Sequence, residues 1–156
     1  MADTTPGDAP TRSRVAIPLV LRMLGALAIL AVGIIHLDQY SSVYYRVIPV
    51  IGPLFLLNFI AATIIGVLLL APLEGLGDKL RPGVGRIAGA VLALAGIGLA
   101  GGAFIFLVIS ENTRLFGFQE SGYRTAIDLA LVVEGAAVVL LAGYLATTAK
   151  RRSQPS

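Results

Sequence analysis

The chain contains no cysteine and a single histidine. The first absence excludes disulfides, thiolate metal sites, iron–sulfur clusters and cysteine nucleophiles. The second excludes an HExxH zinc site and any two-histidine metal or haem site within one chain. Charge is scarce as well. Only 13% of the 156 residues are Asp, Glu, Lys or Arg, against roughly a quarter in soluble domains. A soluble fold of this length needs a polar shell that such a composition cannot supply. What is present instead is apolar: 56% hydrophobic residues and a mean hydropathy of +0.86. This balance describes a small integral membrane protein. The net charge of +3 is no nucleic-acid signal, because the basic residues sit at segment ends and form no stripe interleaved with aromatics.

Hydropathy divides the chain into four apolar stretches, about 15–37, 47–73, 87–110 and 126–147. Each exceeds the roughly 20 residues that cross about 30 Å of hydrocarbon as a helix. Helix is the backbone expected, since a lone strand leaves its hydrogen bonds unmade in lipid. The predicted fold is an all-α membrane protein, an antiparallel bundle of four transmembrane helices. Residues 1–14 are polar and read as a disordered cytoplasmic tail, and 149–156 as a basic cytoplasmic tail. The first stretch is longer than the apolar region of a signal peptide and lacks a small-x-small cleavage site, so it reads as a retained signal anchor.

Orientation follows from the basic residues near the span ends. Arg12, Arg14, Arg22, Lys79, Arg81, Arg86, Lys150, Arg151 and Arg152 fall on one side, and Arg46, Arg114 and Arg124 on the other. The rule places both termini in the cytoplasm and turns the 38–46 and 111–124 loops outward. Tyr40, Tyr44, Tyr45 and Tyr123 lie at those outer borders, where tyrosine anchors at headgroup level. Leu115-Phe116-Gly117-Phe118 is an apolar patch that dips into the interface or caps the bundle. Pro49 and Gly52-Pro53 should break or kink the first turns of the second span.

The third span is suited to close approach. Gly85, Gly89, Ala93, Gly96, Ala100 and Ala103 recur at steps of three and four, and Gly98 and Gly102 add a GxxxG on a neighbouring face. Small residues let helix backbones meet in lipid. The seam serves packing inside the monomer, or alternatively a homo-oligomer or larger membrane complex. In the first span Arg22, Ile29 and His36 are spaced by seven, which returns a helix nearly to the same face. His36 should therefore point into the bundle.

Ionisable residues inside a membrane are costly and are the first functional candidates. At 1.5 Å per residue, Asp128 lies about 6 Å below Arg124 and Glu134 about 15 Å below it. Asn58 lies roughly 18 Å beyond Arg46 by the same rise. Two layers result: His36, Asp38, Arg46, Arg124 and Asp128 near the outer surface, with Asn58 and Glu134 beneath. Tyr45 borders the upper layer. Arg124 and Asp128 are four apart and can pair on one helix face. A carboxylate at mid-membrane must be paired or neutral. Glu134 either hydrogen-bonds Asn58 as interhelical glue, worth roughly 0.6–2 kcal/mol, or serves as a protonatable or ligand-anchoring group. His36 with Asp38 or Asp128 could shuttle a proton, and one histidine makes a weak case for a metal. No Ser/His/Asp nucleophile set and no phosphate-cradling glycine loop is present.

His36-Leu37 with Tyr40, Tyr45-Arg46-Val47-Ile48-Pro49 running into Ile51–Asn58, Phe116–Glu120, and Val133-Glu134-Gly135-Ala136-Ala137 together resemble small four-span membrane proteins of actinobacteria. The resemblance covers most of the chain beyond the tail. It implies the four-span fold and carries no activity with it. More distantly, the span size and Glu134-Gly135-Ala136 are similar to DoxX-type proteins, whose Glu-Gly segment lies in an earlier span. That likeness implies a quinone or redox association.

The residues favour a membrane protein without catalytic machinery: an accessory subunit, or a binder of a lipid or other small hydrophobic molecule at the outward polar cluster. Its partner is the bilayer, and no cofactor is required, although a quinone or bound lipid would suit it. The alternative is proton-coupled transport or a quinone-linked redox role using Glu134, Asp128 and His36. Four spans without an inverted repeat are few for a transporter.

Overall fold

Four long apolar helices and one short amphipathic helix make up the computed structural model, which describes residues 10–42, 44–114 and 125–152. They are α1 (Pro10–Ser42), α2 (Ile51–Leu70), α3 (Leu73–Leu80), α4 (Val84–Asn112) and α5 (Thr125–Arg152), with a 3-10 turn at Tyr44–Val47. Among the described residues there is no strand. α1, α2, α4 and α5 are each long and apolar enough to cross a membrane. The protein is a four-helix bundle of the integral membrane class.

Several boundaries differ from the hydropathy reading, for local reasons. The second span begins at Ile51 rather than 47. Val50 adopts φ 72°, ψ −52°, and the Ile51 amide donates to the Pro49 carbonyl at 2.9 Å. This is a tight γ-turn in the strained sense, uncommon for a β-branched residue. Pro53 then falls in the first turn of α2, where no intrahelical amide is needed. The same span ends at Leu70 rather than 73, because Ala71 precedes Pro72 and is pushed into extended backbone (φ −63°, ψ 152°). The stretch beyond, read as loop, forms α3. Glu74 in its first turn and Lys79 in its last suit the helix dipole, and Leu76 and Leu80 stay exposed. α1 starts at Pro10 and α5 runs to Arg152, so parts of both stretches read as tails are helical. Residues 1–9, 153–156 and the Leu115–Phe118 patch lie outside the described residues, as does Tyr123.

Around the bundle the order is α2, α1, α5, α4, and α2 and α4 close the ring with the loosest of the neighbouring contacts. The core is made of small residues around a few large ones: Ala26, Ile29, Ala62, Leu69, Ala93, Ala100, Ala137, Leu141 and Tyr144. Leu141 shows how the helices approach. It is fully buried, and a Cβ placed on Gly25 or Gly96 would meet its side chain at 2.5 or 2.7 Å. One leucine of α5 thus fills the space left by glycines on α1 and α4. The small-residue face of α4 is spent inside the monomer, since Gly85, Gly89, Ala93, Gly96 and Ala100 are all buried. Arg22, Ile29 and His36 are buried too, as their spacing of seven predicts. Outward-facing positions such as Leu27, Ile64, Val91 and Val132 are large and apolar, which fits a lipid surroundings.

Candidate functional site

Each of the four spans contributes to one cavity of about 410 Å³ in the half of the bundle that carries the 3-10 turn. It runs from Ile51, Ser110 and Ala126 at the helix ends down to Ala61, Gly98 and Glu134. Ten residues separate Ile51 from Ala61, so the depth is about 15 Å at the helical rise. The volume lies toward the lower end of the range for small-molecule sites, roughly 300–1,000 Å³.

Among the polar side chains that line this cavity are His36 of α1, Asn58 of α2 and Glu134 of α5, each from a different helix. The His36 ring is positioned by its own helix. Its Nδ1 donates to the Val32 carbonyl at 2.9 Å, one turn back. A carbonyl can only accept, so Nδ1 carries the proton and Nε2 is free to face the cavity. Nε2 stands 3.9 Å from Glu134 Oε1, close for an ion pair and too far for a direct hydrogen bond. Phe55 tilts against the His36 ring at a centroid distance of 5.0 Å. Tyr45 stacks on the other partner, Phe55, at 4.9 Å. These three rings form one wall. The turn bearing Tyr45 is held on α2 by Gly52, where a Cβ would meet the Tyr45 carbonyl oxygen at 2.8 Å.

Glu134 is 1% exposed, and its Oε2 has no hydrogen-bond partner. Asn58 Oδ1 is buried and has none either. The Asn58–Glu134 hydrogen bond expected from their common depth is therefore not formed. Both residues line the same cavity, and each has a buried oxygen without a hydrogen-bond partner. A buried polar atom without a partner costs roughly 1–3 kcal/mol, so such atoms call for an explanation.

The other sequence candidates are placed differently. Tyr45 is buried and lines the cavity. Asp38 is exposed and accepts from Gln39 Nε2 at 3.1 Å. Arg46 and Asp128 are exposed, and neither lines the cavity. Arg124 lies outside the described residues. The two-layer picture thus changes: His36 joins the deeper group through Glu134, and Asp38, Arg46 and Asp128 face outward. Phe55, Gln39 and Ser110 also line the cavity and were missed in the sequence. Gln39 alone carried a signal, standing three residues after His36 on the same helix face. No group of three His, Cys, Asp or Glu side chains forms among the described residues.

A buried cation sits toward the opposite end. Arg22 is 6% exposed. Its guanidinium bonds the Tyr144 hydroxyl, within the fields of Glu74 and Arg86, while its Nε is unpartnered.

Fold and site together define a four-span helical membrane protein with a small, mostly apolar chamber that holds a buried His–Glu pair. No protein-family model, curated protein or solved structure matches the chain.

Proposed function

We propose that the protein binds a small hydrophobic molecule carrying one hydrogen-bonding group, in the chamber between its four spans. The observation that carries this reading is the pair of unsatisfied buried oxygens, Glu134 Oε2 and Asn58 Oδ1, on two residues that line a mostly apolar cavity of about 410 Å³. Polar atoms left open in a low-dielectric interior are expensive. A ligand group that bonds them recovers that cost, whereas a purely structural role has no use for it. The positive-inside rule supports a chamber in the outer half of a bacterial cytoplasmic membrane, with both termini inside. Binding of this kind suits an accessory subunit that holds or presents a lipid or a quinone-type molecule.

A proton-coupled or quinone-linked redox role is the second reading. It is favoured by the 3.9 Å approach of His36 Nε2 to Glu134 Oε1, which brings together two groups that can each take up a proton. Asp128, exposed on α5, falls outside that pair.

Thermal unfolding in nanodiscs tests the binding reading. A ligand that binds only the folded state stabilises it in proportion to its occupancy. Fractions of a bacterial membrane lipid extract should include one that raises the Tm of the wild type and leaves that of Glu134→Leu unmoved. If every fraction acts equally on both proteins, the chamber is not a binding site.

A further inference from the structure

We infer that the chamber is entered from the bilayer, between α2 and α4, and that its ligand is an amphiphile whose head group is a hydroxyl. The inference rests on the binding reading above and specifies the route and the chemistry.

The route follows from which walls are covered. On the α1 and α5 side most lining residues are buried, among them His36, Ile127, Ala130 and Glu134. On the α2 and α4 side several lining residues are themselves exposed, among them Leu57 at 60% and Phe106 at 49%. These two large apolar side chains are the lips of a slit at membrane depth. Gly98 and Gly102 of α4 also line the chamber. A Cβ on either would meet nothing within 4 Å. The GxxxG of this face therefore packs against no helix. It holds the slit open, where larger side chains would fill it. In a bilayer the slit faces hydrocarbon, so what enters is dissolved in lipid.

The head-group chemistry follows from the atoms left open inside. Glu134 Oε2 and Asn58 Oδ1 are unsatisfied acceptors. With the Nδ1 proton committed to Val32, the unprotonated His36 Nε2 is an acceptor as well. A ligand must then donate. A hydroxyl does so, whereas a ketone or ether leaves both oxygens unpaired. A second copy of the chain is a poor occupant for the same reason: the outward faces of α2 and α4 offer Leu57, Ile64, Leu94 and Ile105, none of which donates to Glu134.

The test uses a brominated long-chain alcohol and its methyl ether as quenching probes. The chain contains no tryptophan, so Phe106→Trp places a single reporter on the lip. In bilayers, the alcohol should quench this tryptophan saturably at low mole fraction. The ether should quench only in proportion to its bulk concentration. Adding Gly98→Leu and Gly102→Leu should weaken the saturable component at least tenfold and leave the Tm within a few degrees. Equal saturable quenching by the ether overturns the donor requirement. Unchanged quenching in the double leucine variant overturns the entrance. Unfolding of that variant, or its loss of a self-associated state, shows that the glycines face a helix and also overturns it. If the alcohol raises the wild-type Tm without quenching the lip tryptophan, the ligand enters elsewhere, and the binding reading stands while this inference falls. If neither the alcohol nor any lipid fraction affects the wild type, both fall.

Discussion

His36 Nε2 lies 3.9 Å from Glu134 Oε1, joining the first and last spans across a cavity that α2 and α4 leave open. The imidazole is oriented by its bond to Val32, and the carboxylate is almost fully buried with Oε2 unpaired. The pair is thus preorganised on one side and unsatisfied on the other. A site held ready for a missing group has this arrangement, and a structural ion pair does not.

Glu134 should therefore trade stability against binding. Glu134→Leu removes an unsatisfied buried oxygen and replaces it with an apolar group of similar size. Such replacements are often neutral or stabilising by about 1–3 kcal/mol. The expected outcome is a Tm equal to or above the wild type together with loss of ligand binding. Glu134→Gln keeps an acceptor oxygen and should retain folding and oligomeric state. Thermal melts monitored by circular dichroism check both.

His36 can be divided into its two nitrogens. An asparagine amide reaches about as far as Nδ1, and a glutamine amide about as far as Nε2. His36→Gln should keep a polar atom facing the cavity and hold ligand affinity within a fewfold. His36→Asn should keep the Val32 bond and lose about tenfold, or roughly 1.4 kcal/mol, the order of one hydrogen bond. Ligand titration in nanodiscs compares them.

Much of this arrangement was legible beforehand. The four spans follow from hydropathy, and Asn58 and Glu134 were placed at one depth by the helical rise alone. The partner of Glu134 was not legible, because the axial shift of α1 against α5 is a matter of packing, as where Leu141 fills the space at Gly25. For the same reason Gly98 and Gly102 read as a packing seam. Whether a missing side chain meets a helix or open space depends on the helix crossing, which the spacing of glycines does not encode. α3 was missed since an eight-residue amphipathic helix has too few apolar positions to register in a hydropathy window. Arg46 and Asp128 were read by level alone, and level does not give the direction a side chain faces.

Val50 supplies a test of the turn that carries Tyr45. Its φ of 72° is strained for a β-branched side chain, at a cost of roughly 1–3 kcal/mol. Glycine accepts that conformation and loses up to about 1 kcal/mol in chain entropy. Val50→Gly should be stabilising by about 1 kcal/mol, seen as a higher Tm with the cavity unchanged.

At the other end, Tyr144→Phe removes the hydroxyl that bonds Arg22. The guanidinium stays buried with one partner fewer, so a loss of about 1–3 kcal/mol is expected. Arg22→Met should relieve it. In the double-mutant cycle, the combined cost should fall well below the sum of the two single costs.

Native mass spectrometry of the protein released from its membrane tests the central claim most directly. The wild type should carry one small amphiphile per chain, and Glu134→Leu, equally folded, should emerge without it. A wild type that emerges bare, or an adduct that persists unchanged in Glu134→Leu, would contradict the assignment of this chamber as a binding site.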